Sequence, residues 1–415
     1  MISGYNFLEL FWDNRPIMTH SLADLYLNKG QERRLVQGHL WIYSNEIDTC
    51  KTPLKNFTAG EQVVVHSAQG KNLGIAYINP HSLICARLVS RKTDIFLDRA
   101  LLVHRIKVAL SLRKRLFDRP YYRLIFGESD LLPGLVVDRF NDVVVVQITT
   151  AGMEQQRQAI IEALEKVIKP EVILLRNDVK MRELEGLELY NEVALGNLPE
   201  IIEIEENQTH FQLDPLKGQK TGWFYDHRMN RARVQTYASG KRVLDLFSYA
   251  GAWGLAAATA GASEVYCVDA SEQALDWLDQ SAELNGFNHI TSIQGNVFEV
   301  LKHLRNEKEK FDIVIVDPPA FIKRKKDFKE GMNAYRRVNQ MAMQLCNRDS
   351  LLVSASCSHH MPEQTLLQQI QGAARHLDRF AQMLERGYQG PDHPVHPAIP
   401  ETAYIKSFIS RVLPV

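Results

Sequence analysis

Two short runs constrain what this chain can fold into. Each is a hydrophobic strand that ends in an acid, and glycines that open a helix follow the first one. The first run is Lys241-Arg242-Val243-Leu244-Asp245-Leu246-Phe247-Ser248-Tyr249-Ala250-Gly251-Ala252-Trp253-Gly254. Glycine accepts backbone conformations that a side chain disfavours and lets the backbone approach a ligand closely, which is how doubly wound sheets hold nucleotide-like groups. The second run, Ser263-Glu264-Val265-Tyr266-Cys267-Val268-Asp269, puts an acid where such sheets hydrogen-bond a ribose diol. Together the runs predict an α/β, Rossmann-like domain. Asp245 and Asp269 can also be read as helix N-caps, a purely structural job.

The first loop lacks a full G-x-G-x-x-G and places Phe247-Ser248-Tyr249 ahead of Gly251. That favours a cofactor without a pyrophosphate, S-adenosylmethionine before NAD. Further on, Phe311-Asp312-Ile313-Val314-Ile315-Val316-Asp317-Pro318-Pro319-Ala320-Phe321 is another strand ending in an acid, presented by a proline-stiffened turn. Leu351-Leu352-Val353-Ser354-Ala355-Ser356-Cys357-Ser358 is a hydrophobic strand that ends in a thiol. Carbon C5 of a pyrimidine does not attack a sulfonium methyl unaided. A nucleophile must first add at C6, and a thiolate can add there and later leave. Cys357 and Asp317 are therefore the candidate catalytic residues, with the Asp317 carboxyl placed to hydrogen-bond the ring edge, N3 and N4 if the base is cytosine; the thiol alone permits uracil equally. Cys267 inside its strand, Cys85 on a barrel strand and Cys346, assigned to a helix, read as buried hydrophobes.

With 415 residues, 45% of them apolar, the chain has room for two or three domains with real cores. Its 49 lysines and arginines equal its 49 acids, so a nucleic acid would be held by local basic patches and not by a global field. The five cysteines form no C-x-x-C pair, which suits free thiols in a reducing cytoplasm and argues against structural zinc. No metal is expected, and His359, His360, His393 and His396 read as loop histidines. No apolar run approaches the ~18 residues of a membrane helix. Residues 1–18 read as a leader without function, with Met18 as an alternative start; the segment lacks the basic start and cleavage site of a signal peptide.

From 19 to 95, short β-type runs with turn signals predict a small barrel. The run Arg33-Arg34-Leu35-Val36-Gln37-Gly38-His39-Leu40-Trp41-Ile42-Tyr43, with Gly60-Glu61 and the Asn79-Pro80 turn, resembles the RNA-binding PUA domain at the front of some bacterial rRNA methyltransferases. Alternatively, Arg33, Arg34 and His39 merely face solvent on a packing barrel. Residues 96–200 predict a small α+β linker domain. Its helix over 97–118 carries Leu101, Val103, Ile106, Ala109, Leu112 and Leu116 at helical spacing, with Arg113-Lys114-Arg115 as a solvated face. Strands over 143–149 and 172–176 flank a second helix over 153–167. Residues 201–415 form the catalytic domain, and the alternation over 401–412 reads as its closing strand.

Residues 218–415 resemble a class I methyltransferase of the bacterial 23S rRNA cytosine-C5 methyltransferase I family, and 19–217 resemble that family's front half. The resemblance implies a seven-stranded sheet, S-adenosylmethionine as cofactor and 23S rRNA, or its assembly intermediate, as partner. It implies a cofactor site of Asp245, Phe247, Ser248, Gly251, Asp269, Asn296, Val297, Asp317 and Pro318, with Asn296 and Val297 at the adenine end. Asn296 stands where the family commonly has an acid. In Gly218-Gln219-Lys220-Thr221-Gly222-Trp223-Phe224-Tyr225-Asp226-His227-Arg228 the resemblance implies a flap over the cofactor, adding Lys220, Asp226 and Arg228. Substrate RNA is expected against Pro319, Phe321, Lys323, Arg324 and Lys325, and against Arg33 and Arg34; the run Lys323-Arg324-Lys325-Lys326 reads equally as plain surface. Many RNA cytosine-C5 enzymes carry a second cysteine where this chain has Ala320. The C5 proton must then go to another base, with Asp317, water, Ser356 or Ser358 as candidates. Two rivals stay open: a guanine or exocyclic-amine methyltransferase, because D-P-P-x-F resembles the N-P-P-F turn of amine methylation, and a non-catalytic ribosome assembly factor. The oligomeric state is open, a homodimer among the options.

Overall fold

The computed structural model describes residues 22–415, so the predicted leader lies outside the described residues. The first sheet runs Ala23–Tyr26, Gln62–His66, Asn72–Ile78, Ile84–Ser90, Trp41–Tyr43. A bridge between Leu27 and Ile47, beside bonds from Asn28 N to Glu46 O (2.8 Å) and Asp48 N to Tyr26 O (2.9 Å), ties its two edges together. The sheet thus curls into a barrel around Leu25, Ile42, Val63, Val65, Ile78 and Leu88. One residue of that core comes from far away: Ile399 is fully buried in it. His39 does not face solvent as the packing-barrel reading had it. It is buried, and its Nδ1 accepts the Trp41 N–H at 3.0 Å.

The second sheet runs Tyr190–Leu195, Val172–Asn177, Val143–Ile148, Leu135–Phe140, Tyr121–Phe126, with Arg99–Leu116 and Arg157–Ile168 packed on it. Val143–Ile148 pairs in parallel with Val172–Asn177 and is buried along almost its whole length, which explains its unbroken run of valines. Arg113 is a correction to the solvated-face reading of its helix. It is 0% exposed, bonds both Asp130 oxygens (2.6 and 2.8 Å), and donates to the Asp392 carbonyl at 2.8 Å. Leu112 and Leu116, expected inside, are exposed, and Leu102 and Leu110 are buried in their place. Asp392 also accepts the Arg123 N–H at 3.0 Å, so this cluster latches the central domain onto the catalytic one.

A hairpin, Ile202–Glu206 with Thr209–Leu213, leads into the catalytic sheet and shares a core with both neighbours through Phe140, Phe211, Trp223 and Trp277. That sheet has seven strands in the order Ile290–Gln294, Glu264–Asp269, Arg242–Leu246, Phe311–Val316, Cys346–Ser356, Lys406–Pro414, Arg379–Gly387. The first five are parallel, and Lys406–Pro414 runs antiparallel to both its neighbours. The predicted closing strand therefore begins later, at Lys406, and sits inside the sheet while Arg379–Gly387 takes the edge. Ser407 to Ser410 are buried in succession, as an interior strand requires. Cys346 opens a strand and is not on a helix, though it is buried as expected. Among the described residues no helix is long and apolar enough to cross a membrane.

Candidate active site

Ligands of open α/β sheets bind beyond the carboxyl ends of the strands, where the strand order reverses. Here that point lies around Arg242–Leu246, and Asp245, Asp269, Asp317 and Cys357 all fall at that edge. Asp245 is fully buried; its Oδ2 accepts the Gly254 N–H at 2.9 Å, while Oδ1 has no hydrogen-bond partner among the described residues. Burial pushes its carboxyl well above the ordinary range, and nearby Asp317 and Asp269 add to the push. The helix-cap reading is thus half right, since one oxygen serves the first turn of Ala252–Thr259 and the other is left over.

The loop after this strand holds three residues at positive φ: Phe247 (63°), Tyr249 (50°) and Gly251 (77°). Two of them are large side chains, and such conformations persist only where the surroundings enforce them, typically at ligand sites. Gly254 has no room for more: a Cβ there would lie 2.4 Å from the Cys267 sulfur. The Ser248 hydroxyl is buried without a partner. Asp269 is held by backbone N–H groups from Tyr249 to Oδ2 and Ser271 to Oδ1, both at 2.9 Å, leaving its other lone pairs for a diol. Asn296 caps the helix Val297–Asn306, its Oδ1 accepting the Phe298 N–H at 3.0 Å, and Val297 beside it is buried. The unpartnered buried oxygens of Asp245 and Ser248 beside a fixed Asp269 leave polar atoms free for an adenosyl group with a ribose diol.

Phe311–Val316 and Cys346–Ser356 are parallel neighbours with Val316 opposite Ser354, so Asp317 and Cys357 leave the same edge of the sheet from adjacent strands, with Cys357 two residues beyond the Asp317 level. One Asp317 oxygen accepts a hydrogen bond, and the other lies near an imidazole nitrogen that has no hydrogen-bond partner among the described residues. Trp253 Nε1 donates to Oδ2 at 2.9 Å, and His227 Nε2 lies 3.5 Å from Oδ1. Asn230 Nδ2 donates to His227 Nδ1 and to the Tyr388 carbonyl, both at 3.0 Å, which leaves the His227 proton on Nε2, toward Asp317. Replacing His227 by alanine should lower kcat about 10- to 100-fold with KM little changed, the scale on which orienting partners act. His227→Gln, which keeps a donor, should recover most of the loss; equal damage from both variants would show that the imidazole does something else.

Cys357 is half-buried, and burial pushes its thiol up to about 11; Lys220 pulls it down, while Asp317 and Asp226 oppose that pull. Lys220 is exposed, with its ammonium 4.6 Å from the Phe224 ring centroid. Asp226 is buried, and although burial works against it, His227, Lys220 and His393 hold its carboxyl below the usual range. Tyr404 donates to its Oδ2 at 2.7 Å, and Oδ1 is unpartnered. Because the thiol titrates high, alkylation of Cys357 by iodoacetamide should climb about tenfold per pH unit from 7 to 10, and at pH 8 should lag a thiol of ordinary pKa 9.0 by roughly 100-fold. Lys220→Ala should slow it further. Peptide mass spectrometry across pH checks both, and a flat profile would contradict the burial argument.

Other expected residues are placed less uniformly. Phe321 stacks toward Tyr335 (4.8 Å) and Phe247 (6.3 Å). Pro318 is buried, Pro319 exposed, and Lys323, Arg324 and Lys325 lie on the surface, Arg324 paired with Asp327 at 3.1 Å. Arg228 is turned away from the pocket: it packs over Phe117 and Tyr225, donates to the Tyr121 carbonyl and lies 3.5 Å from Glu206. Arg33 is exposed, and Arg34 pairs with Glu46 at 2.6 Å. Ser356 and Ser358 are buried and bonded to the Tyr335 hydroxyl (2.8 and 3.0 Å), which withdraws them as proton acceptors. His393 is buried against Asp392 at 3.0 Å. Among the described residues no group of three or more His, Cys, Asp or Glu side chains could hold a metal ion.

A family profile described as S-adenosylmethionine-dependent methyltransferase matches residues 130–407, and one described as PUA-like domain matches 25–91. The ribosomal RNA large subunit methyltransferase I of Erwinia tasmaniensis is 38% identical over 397 residues, covering 94% of this chain and 99% of that protein. The chain belongs to the ribosomal RNA large subunit methyltransferase I family. The Serratia proteamaculans protein of the same name is 35% identical over 395 residues, 94% of this chain and 99% of its own. In fold, the chain matches a methyltransferase solved in complex with SAH (TM-score 0.80, 22% identity, 94% of this chain and 100% of that one) and another from Streptococcus mutans (TM-score 0.79, 22% identity, the same coverage). Membership makes S-adenosylmethionine the cofactor, and of the residues expected at its site Asp245 and Ser248 carry buried oxygens with no hydrogen-bond partner among the described residues. Trp253, His227, Asn230 and Tyr404 were not singled out by sequence. Two of them sit inside motifs already quoted, Trp253 between glycines and His227 between Asp226 and Arg228, but which carboxylate they would meet is a tertiary fact.

Proposed function

We propose that this chain methylates C5 of a cytosine in large-subunit ribosomal RNA, with Cys357 adding to C6 of the ring. The observation that carries the reading is the juxtaposition of the Cys357 thiol with Asp317 at the ends of adjacent parallel strands. Bound S-adenosylmethionine supplies an electrophilic methyl group on a sulfonium. As Cys357 Sγ bonds to C6, the thiol proton passes through Asp317 or water to ring N3, and the ring electrons this displaces make C5 nucleophilic. Asp317, held by Trp253, is placed to hold the ring at N3 and N4. C5 takes the methyl group and S-adenosylhomocysteine leaves; the C5 proton then goes to Asp317 or to water, the Sγ–C6 bond breaks, and the N3 proton returns to sulfur to restore the thiol. The relatives' identity as ribosomal RNA methyltransferases supports ribosomal RNA as substrate, the PUA-like domain supports RNA binding, and such a substrate puts the work in the cytoplasm.

Methylation of an exocyclic amine is the second reading. The Asp317-Pro318-Pro319-Ala320-Phe321 turn favours it, as does a thiol that rests neutral, since that chemistry needs no thiolate. Unmodified 23S rRNA incubated with enzyme and S-adenosylmethionine, digested and analysed by mass spectrometry, separates the two. 5-Methylcytidine supports the C5 reading and an N-methylated base overturns it. RNA carrying 5-fluorocytidine should in addition trap a covalent complex, because fluorine at C5 blocks the proton loss that frees Cys357.

A further inference from the structure

The barrel, the central domain and the catalytic domain meet around a cleft of about 870 Å³. Its ionisable lining is Arg34, His39, Arg91, Lys92, Arg105 and His396, with no aspartate or glutamate. In a chain with equal numbers of acids and bases this is a marked local excess. Among the described residues only Arg34 of these has a carboxylate partner, Glu46. Arg91 donates to the carbonyls of Leu35 (2.7 Å) and Val36 (2.8 Å), and Arg105 to those of Val89 and Leu131. Carbonyls orient a guanidinium without neutralising it. Among the described residues Arg91, Lys92 and Arg105 form no ion pair, and burial holds the Arg105 guanidinium down to about 10, as for a cation kept from water with no anion opposite.

We propose that this three-domain cleft binds backbone phosphates of the substrate RNA, with Arg91, Lys92 and Arg105 as the phosphate contacts. The inference rests on RNA being the substrate. The cleft has no Phe, Tyr or Trp in its lining, so it lacks the platforms on which bases stack, and its chemistry is that of phosphate recognition. It is preformed. Ile399, buried in the barrel core, pins the wall at Pro397 and Ala398, and Gly38 at φ 110° faces that wall, where a Cβ would come within 3.7 Å of the Ala398 side chain.

The test measures binding of a 23S rRNA fragment against salt concentration for the wild type, Lys92→Glu and Arg105→Gln. Each variant should flatten the slope of log K against log salt by about one and weaken binding roughly 5- to 10-fold at 100 mM salt, with S-adenosylmethionine affinity unchanged. Lys92 is exposed and makes no side-chain hydrogen bond, so its variant stays informative if the Arg105 variant fails to fold. Unchanged slopes overturn the proposal. So does calorimetry showing micromolar binding of inorganic phosphate alone, which would make the cleft a small-anion site. Flattened slopes alongside a wild type that forms no 5-methylcytidine would keep the cleft and discard the Cys357 chemistry, so the two failures are distinguishable.

Discussion

Cys357→Ala enzyme, given S-adenosylmethionine and unmodified 23S rRNA, is expected to form 5-methylcytidine at least about 10³-fold more slowly than wild type. At ~1.36 kcal/mol per decade that is about 4 kcal/mol of barrier. The size follows from the chemistry: without a nucleophile at C6, C5 carries too little electron density to attack a methyl group, and the remaining site only positions the reactants. Cofactor affinity should hold within about threefold, because Asp245, Ser248 and Asp269 lie at the ends of other strands. Cys357→Ser should fare little better, since a hydroxyl is far less acidic and less nucleophilic than a thiol. Single-turnover rates and calorimetry of cofactor binding provide the check, and a variant that methylates at near wild-type rate would reduce Cys357 to a structural thiol.

The second large effect is on stability. Glu206 is buried between Arg231, which donates to its two oxygens at 2.6 and 2.9 Å, and the Trp223 indole N–H at 3.1 Å, with Arg228 at 3.5 Å. Glu206→Ala leaves two buried guanidinium groups with no carboxylate between them, which should cost about 3–5 kcal/mol. Glu206→Gln should cost less, because it keeps an acceptor for Arg231. Urea unfolding followed by tryptophan fluorescence measures both, and an unchanged midpoint for the alanine variant would mean that water reaches the arginines. Arg231 also stacks near Trp253, the residue that donates to Asp317, so the alanine variant should lose activity even where it remains folded.

The catalytic sheet was legible because its signals are local. A strand that must be buried on both faces is written as an unbroken apolar run, and a turn that needs left-handed backbone is written with Gly251. The same locality explains the misses. Arg113 looks like surface on its own helix because the Asp392 carbonyl that receives it lies 279 residues away. Ser356 and Ser358 look reactive beside Cys357 until the Tyr335 hydroxyl takes both. Arg228 matched a flap motif, and Glu206 holds it elsewhere. In each case the residue type was informative and its partner was not, because partners are set by packing between distant segments.

Ile399 bears on the order in which this protein can be made. It is translated about 300 residues after Ser90 ends the barrel's last strand, a wait of roughly 15–60 s at ~5–20 residues per second. Throughout that interval the nascent barrel lacks a fully buried side chain worth about 1.5–3 kcal/mol. The barrel, though translated before the central and catalytic domains, therefore finishes maturing after them, and its final consolidation reports that the catalytic domain has arrived and folded against it.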